Sequence, residues 1–193
     1  VVGGRPDQRG VISSASYEAR RMGIHSAMPT SRALHIYPHL KIMPANWTRI
    51  RERSRQVMAV LERYGPLEQV SVDEAYLDSS LQEDPVSVAA TIKEDVKETT
   101  SLPCSVGLAT SKLVAKVATR LVKPDGEYIV GTGEEESLLA PLPIHLVPGI
   151  ECDDLLRLRE FNLIRVSQFT ALSLEQLQIP FGARALFLYQ TAR

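Results

Sequence analysis

Ser71-Val72-Asp73-Glu74-Ala75-Tyr76-Leu77-Asp78 sets two adjacent carboxylates between two short apolar runs. Leu67 to Val72 and Ala75 to Ser80 are rich in Val, Leu and Tyr and read as paired strands, with the acids at or beside the turn. Such a rim suits magnesium, which favours oxygen ligands, keeps several waters and is held by one or two protein carboxylates together with substrate phosphates. Two acids standing alone are more simply a polar turn; the rest of the chain is what weighs against that reading. Ser71 is assigned to the strand, and Tyr76 and Leu77 to the core, because alternate positions of a half-buried strand need apolar partners.

Upstream of the hairpin, Trp47, Ile50, Val57, Met58, Leu61 and Tyr64 recur at helical spacing with Arg and Glu between them, which predicts an amphipathic helix stopped by Gly65-Pro66. Val11 to Ser14 reads as a strand leading into a helix that starts at Ser16-Tyr17 and closes at Gly23. A second helix is expected between Pro29 and Pro38. Downstream, the pattern predicts a helix from Val86 to Thr99, a strand from Pro103 to Leu108 and a helix from Ser111 to Val122. Beyond Gly131, short helical pieces separated by Pro141, Pro143, Pro148 and Pro180 form a small helical module. The tight hairpin favours an α+β class: a mixed, largely antiparallel sheet with helices on one face, rather than a doubly wound parallel sheet.

The chain has 193 residues, 44% of them hydrophobic, enough for one large domain or two small ones. A net charge of -1 argues against nonspecific nucleic-acid binding by the whole surface and leaves room for local basic patches. Cys104 and Cys152 stand far apart, in neither a metal-ligand nor a disulfide-rich pattern, and His25, His35, His39 and His145 are scattered. No apolar stretch reaches the length of a membrane span, so a cytoplasmic setting without membrane contact is expected.

Arg9-Gly10-Val11, Ser16-Tyr17-Glu18-Ala19-Arg20, Gly23-Ile24-His25-Ser26-Ala27-Met28-Pro29, the acidic hairpin, and Ser105-Val106-Gly107-Leu108-Ala109 through Lys116 to Lys123-Pro124-Asp125-Gly126 occur in this order. In order and spacing they resemble the Y-family (translesion) DNA polymerases, of the bacterial polymerase IV type. The resemblance covers nearly the whole chain. It implies a fingers segment at 1–45, a palm with the acidic hairpin at 46–132 and a helical thumb at 133–193.

It also implies the roles. Asp73 and Glu74 resemble the palm carboxylates that hold two Mg2+ ions, with Asp73 the better candidate for a bridging ligand. Tyr17, Arg20 and Lys123 resemble residues that contact the incoming deoxynucleoside triphosphate, and Ser14 could add a hydroxyl donor from the preceding strand. Tyr17 and Arg20 lie three apart at a helix start and can project from one face. A guanidinium offers a planar fork to phosphate oxygens, and an ammonium a compact charge. In isolation Tyr17 reads as packing, Arg20 as a solvated charge and Lys123 as a complement to a helix C-terminus. Lys112 and Lys116 are assigned to solvent or to weak phosphate contacts.

Departures from the family pattern are equally specific. Family members begin earlier, with a strand carrying another metal-binding aspartate and an aromatic residue that excludes ribonucleotides, and end later, with a basic little-finger domain. The chain is therefore expected to be a fragment, inactive alone, that binds primer-template DNA weakly and reaches a sliding clamp only through regions beyond it. Pro148-Gly149-Ile150 resembles the turn of a helix-hairpin-helix element, yet Glu151, Asp153 and Asp154 follow, placing acids where a DNA phosphate would approach. The leading function is a template-directed translesion DNA polymerase core; the alternative is a noncatalytic accessory protein of the DNA damage response that keeps the fold as a platform.

Overall fold

The computed structural model describes residues 1–191. Its internal contacts divide the chain into Val1–Arg53 and a larger unit from Ser54 on.

In the first unit, β1 (Val2–Gly3) pairs antiparallel with β2 (Ile12–Ser14). Gly4 and Gly10 allow this: a Cβ on Gly10 would press into the backbone of Gly4 and Arg5. β2 leads into α1 (Tyr17–Arg21), whose first turn is capped by the Ser16 hydroxyl accepting from the Ala19 N–H, and Gly23 at φ 81° ends the turn. α2 (Thr30–Ile36) follows Pro29 and stops short of Pro38. Ile12, Ala15, Ala19, Ile24, Met28 and Ala33 form one buried cluster, so each short element supplies a side chain or two to a shared core.

α3 (Trp47–Leu61) begins with the Asn46 side chain accepting from the Arg49 N–H, and the division between the units falls inside it. It ends before Tyr64, earlier than the apolar spacing predicts. Tyr64 instead sits in the turn leading to Gly65, and its hydroxyl donates to Asp95 at 2.5 Å. Val60, absent from the predicted stripe, is among the deepest residues, in a cluster with Ile92 and Val96 of α4 (Pro85–Thr100).

β3 (Leu67–Gln69) and β4 (Ala75–Leu77) form the expected antiparallel hairpin. β5 (Val106–Leu108) then runs through α5 (Lys112–Leu121) to β6 (Glu127–Ile129), and β5 and β6 pair parallel. The sequence pattern missed β6 because three residues, one of them exposed, carry no periodicity; the crossover through α5 makes it a strand. The class is α+β as expected. Among the described residues, however, the strands form three separate two-stranded ladders, two antiparallel and one parallel.

In the last stretch, α6 (Glu135–Leu139) packs Leu138 and Leu139 against Val114, Ala118 and Val130, while α7 (Cys152–Glu160), α8 (Val166–Thr170), α9 (Leu174–Phe181) and α10 (Ala185–Thr191) gather around Leu158, Phe169, Leu177, Phe181 and Leu188. Pro180 lies inside α9 rather than between helices. Its ring removes one N–H from the last turn, and the helix ends one residue later, with Gly182 at φ 52° as its C-cap. No helix among the described residues is long and apolar enough to cross a membrane.

α5 lies so close to β5 that a Cβ on Gly107 would meet the Ala115 carbonyl oxygen, the Thr119 hydroxyl at 2.6 Å and the Thr119 backbone nitrogen at 2.7 Å. Backbone atoms cannot swing aside. Gly107→Ala is therefore expected to destabilise the chain by about 2 kcal/mol or more, read as a lower midpoint in urea unfolding.

Candidate functional site

The hairpin loop is closed from within. The N–H groups of Val70 and Ser71 both donate to the carbonyl oxygen of Glu74, at 3.0 and 3.1 Å. The Ser71 hydroxyl donates to Asp73 Oδ1 at 2.7 Å and accepts from the Asp73 N–H at 3.2 Å. Ser71 thus lies in the loop, outside the ladder, and orients the carboxylate two residues on. Asp73 is exposed and Glu74 half-buried.

α5 supplies the other restraint. Lys116 Nζ donates to Glu74 Oε2 at 2.9 Å, with the lysine side chain only 23% exposed. One turn earlier, Lys112 pairs with Glu68 and its ammonium stands 5.5 Å from the Tyr76 ring centroid. Glu68 and Tyr76 are partners in the ladder, so Lys112 covers that face while Leu77 turns to the opposite one, against the Val60, Ile92 and Val96 cluster. Leu77 serves the core as expected; Tyr76, half-buried, serves the lysine. Lys116, assigned to solvent or phosphate, is an ion-pair partner of an acid in the pair. The spacing of four residues that puts two lysines on one helix face was visible in the sequence; the partner across the fold was not.

Asp78, at the exit of β4, accepts from the Ser80 N–H at 2.9 Å, and hydrogen bonds from Ser80 hold its carboxyl below the usual aspartate range. Lys123 is exposed in the turn between α5 and β6. Asp73, Glu74 and Lys123 thus belong to the larger unit.

Ser14, Tyr17 and Arg20 belong to the first unit. Ser14 ends β2 with its side chain exposed. Tyr17 and Arg20 share one face of α1, the guanidinium carbon 5.9 Å from the tyrosine ring centroid, and Arg20 Nε donates to the Ala15 carbonyl at 3.0 Å. Both side chains are exposed, and the stacking together with the anchored Nε restricts the arginine to one direction.

The acidic turn of the helical module is less acidic than its sequence. Asp154 is buried, accepts from the Glu151 N–H at 2.9 Å and takes hydrogen bonds from Nε and Nη2 of Arg184 at 2.7 to 2.9 Å. The same guanidinium pairs with Glu151 at 3.2 Å, donates to the Gly149 carbonyl at 2.8 Å and stacks 4.9 Å from the Phe187 ring centroid. Asp154 is thus compensated by Arg184, with Glu151 sharing the edge of the same charge from the surface; Asp153 remains on the surface.

Residues 1–120 match the impB/mucB/samB family. The chain belongs to it. A DNA polymerase IV of Serratia proteamaculans is 37% identical over 98% of the chain and 55% of that protein. A DNA polymerase IV of Methanoculleus marisnigri is 41% identical over 96% of the chain and 52% of its own length. The crystal structure of DinB from Sulfolobus solfataricus superposes with a TM-score of 0.89 at 29% identity, over 100% of the chain and 58% of its partner. An insertion ternary complex of Dbh DNA polymerase gives 0.86, also at 29% identity, over 100% of the chain and 59% of its partner. The chain spans about half the length of the curated relatives it matches. The impB/mucB/samB assignment agrees with the Y-family resemblance read from the motifs.

Burial raises the Asp154 pKa, but the Arg184 hydrogen bonds, the Glu151 N–H and the nearby positive charges outweigh it, and the net shift is downward. A depressed folded-state value contributes stability that is complete above the unfolded-state pKa and lost as the pH falls through the folded one. The helical module is therefore expected to loosen below about pH 4, followed by amide exchange of α7 and α10. Asp154→Asn should lower the unfolding midpoint at neutral pH and flatten that dependence.

Proposed function

We propose that this chain forms the catalytic core of a template-directed DNA polymerase of the translesion type, transferring a nucleotidyl group from a deoxynucleoside triphosphate to a DNA primer. The observation that carries the reading is the Asp73–Glu74 pair, held on a closed hairpin loop by Ser71 and Lys116, in a chain of the impB/mucB/samB family. The proposed functional division is fingers at 1–45, palm at 46–132 and thumb at 133–193. Separate buried clusters around Ile12, around Val60 and around Leu158 support it, although Leu138 and Leu139 at the start of the proposed thumb pack on the Val114 cluster of the palm.

The donor set fits magnesium. Asp73 and Glu74 offer hard carboxylate oxygens, and no group of three or more His, Cys, Asp or Glu suited to a metal occurs among the described residues. Two carboxylates suit an ion whose other positions are taken by water and triphosphate oxygens. Mg2+ held there would supply Lewis-acid activation of the primer hydroxyl and charge stabilisation of the departing pyrophosphate. Asp73, oriented by Ser71, and Glu74 would be the carboxylates that hold it. Arg20 and Tyr17 take the triphosphate with a directional guanidinium and a hydroxyl, Ser14 adds a donor from the strand end, and Lys123 adds a point charge.

Primer-template DNA and the nucleotide are the proposed substrates, a sliding clamp is a proposed partner of the longer polymerase, and the cytoplasm is the proposed setting. Calorimetric titration of a deoxynucleoside triphosphate in Mg2+ tests the reading. Binding should require the metal, vanish in Asp73→Ala, and weaken about tenfold in Arg20→Met, the loss of one charge-assisted hydrogen-bonding group. Metal-independent binding indifferent to Asp73 would favour the noncatalytic platform. In a chain completed to the length of its relatives, primer extension should fall at least about a hundredfold in Asp73→Ala; unchanged extension would refute the mechanism.

A further inference from the structure

Lys116 raises a question about the acid pair that the polymerase reading leaves open. Its ammonium already occupies Glu74 Oε2 at 2.9 Å, and three-quarters of its side chain is covered, so the pair is not a loose surface contact. The backbone carbonyl of Glu74 is simultaneously fixed by the Val70 and Ser71 N–H groups. Glu74 therefore cannot escape the lysine by moving its main chain; only the side-chain torsions are free. Asp73 is restrained differently, by the neutral hydroxyl of Ser71, which can keep its hydrogen bond while the other carboxylate oxygen binds a cation. One acid is oriented by a neutral partner, and the other has one of its two oxygens taken by a cation.

We infer that Lys116 is a resident counter-ion of Glu74 that a divalent cation must displace, so that metal binding to the free chain is an exchange reaction and its affinity is held down. The inference rests on the reading of Glu74 as a metal ligand. Removing the ammonium abolishes both the competition for Oε2 and the repulsion of an incoming dication at short range. Its effect on affinity is thus opposite in sign to that of a purely structural lysine, whose loss would disorder the loop and weaken the site. A nucleotide carrying its own negative charge would offset the displaced ammonium, which makes the cation enter most favourably together with a triphosphate.

Lys112 provides an internal comparison. It lies on the same face of α5 and pairs with the same hairpin, but through Glu68 in the ladder, outside the acid pair. Its charge is exposed and screened, so its removal should change cation affinity by less than about twofold.

Free Mn2+ followed by electron paramagnetic resonance, with the nucleotide omitted, tests this. Lys116→Met and Lys116→Gln should bind Mn2+ about five- to tenfold more tightly than wild type, the exchange of one partly covered, charge-assisted contact. Lys116→Arg should stay near wild type and Lys112→Met within twofold. Unchanged or weaker binding in the folded Lys116 variants overturns the exchange. Glu74→Gln tests the underlying reading separately: if it leaves Mn2+ affinity of the wild-type background untouched, Glu74 is not a ligand and the metal assignment itself fails. In the unmutated chain, the ammonium signal of isotope-labelled Lys116 should shift as Mg2+ is added; a signal that stays fixed to saturation would also overturn the exchange.

Discussion

Two N–H groups, of Val70 and Ser71, converge on one carbonyl oxygen, that of Glu74, and the acidic hairpin depends on that convergence. A five-residue loop between three-residue strands has little ladder to hold it. Closing it on its own last residue fixes the backbone under both acids before any side chain contributes. Ser71 can then address Asp73 at 2.7 Å, and Glu74 is presented where Lys116 reaches it. Two adjacent carboxylates would otherwise repel and spread; here each has a different partner, one neutral and one charged.

α5 is the element through which the larger unit communicates with this loop. Its inner face packs Val114, Val117 and Ala118 into the interior, and its N-terminal cap at Ser111 sets the phase of the whole helix. That phase places Lys112 and Lys116 over the hairpin. The helix also approaches β5 so closely that position 107 admits no side chain. From the far end, Arg120 donates to the Leu146 carbonyl at 2.7 Å, tying the same helix to the start of the helical module. Surface ion pairs contribute little individually; here their value lies in direction, because the helix carrying them is fixed by packing.

The helical module follows the same logic, a carboxylate held by a cation distant along the chain. A buried carboxylate, Asp154, is tolerable only because Arg184 approaches it with two nitrogens and a backbone N–H fills a further acceptor site. The guanidinium also grips the Gly149 carbonyl, so the turn that a phosphate would approach in a helix-hairpin-helix is braced from behind. The negative charge that the sequence places at this turn is therefore smaller in its effect than a count of Glu151, Asp153 and Asp154 implies.

The α+β class, the hairpin, the cap at Ser16, the helix ends near Gly23 and Pro38 and the family to which the chain belongs were legible in the sequence, because they rest on local chemistry: periodicity, turn residues and the order of short motifs. What escaped it depended on partners distant along the chain. β6 became a strand only beside β5, Ser71 left the ladder when the loop closed, and Tyr76 turned to Lys112 rather than the core. Asp154 became an interior residue because Arg184, thirty positions on, folds over it. Sequence by itself determined which residues could carry charge to the site. Tertiary structure alone decided which of those charges face each other, since an ion pair is set by the packing of helices and strands that no local pattern encodes.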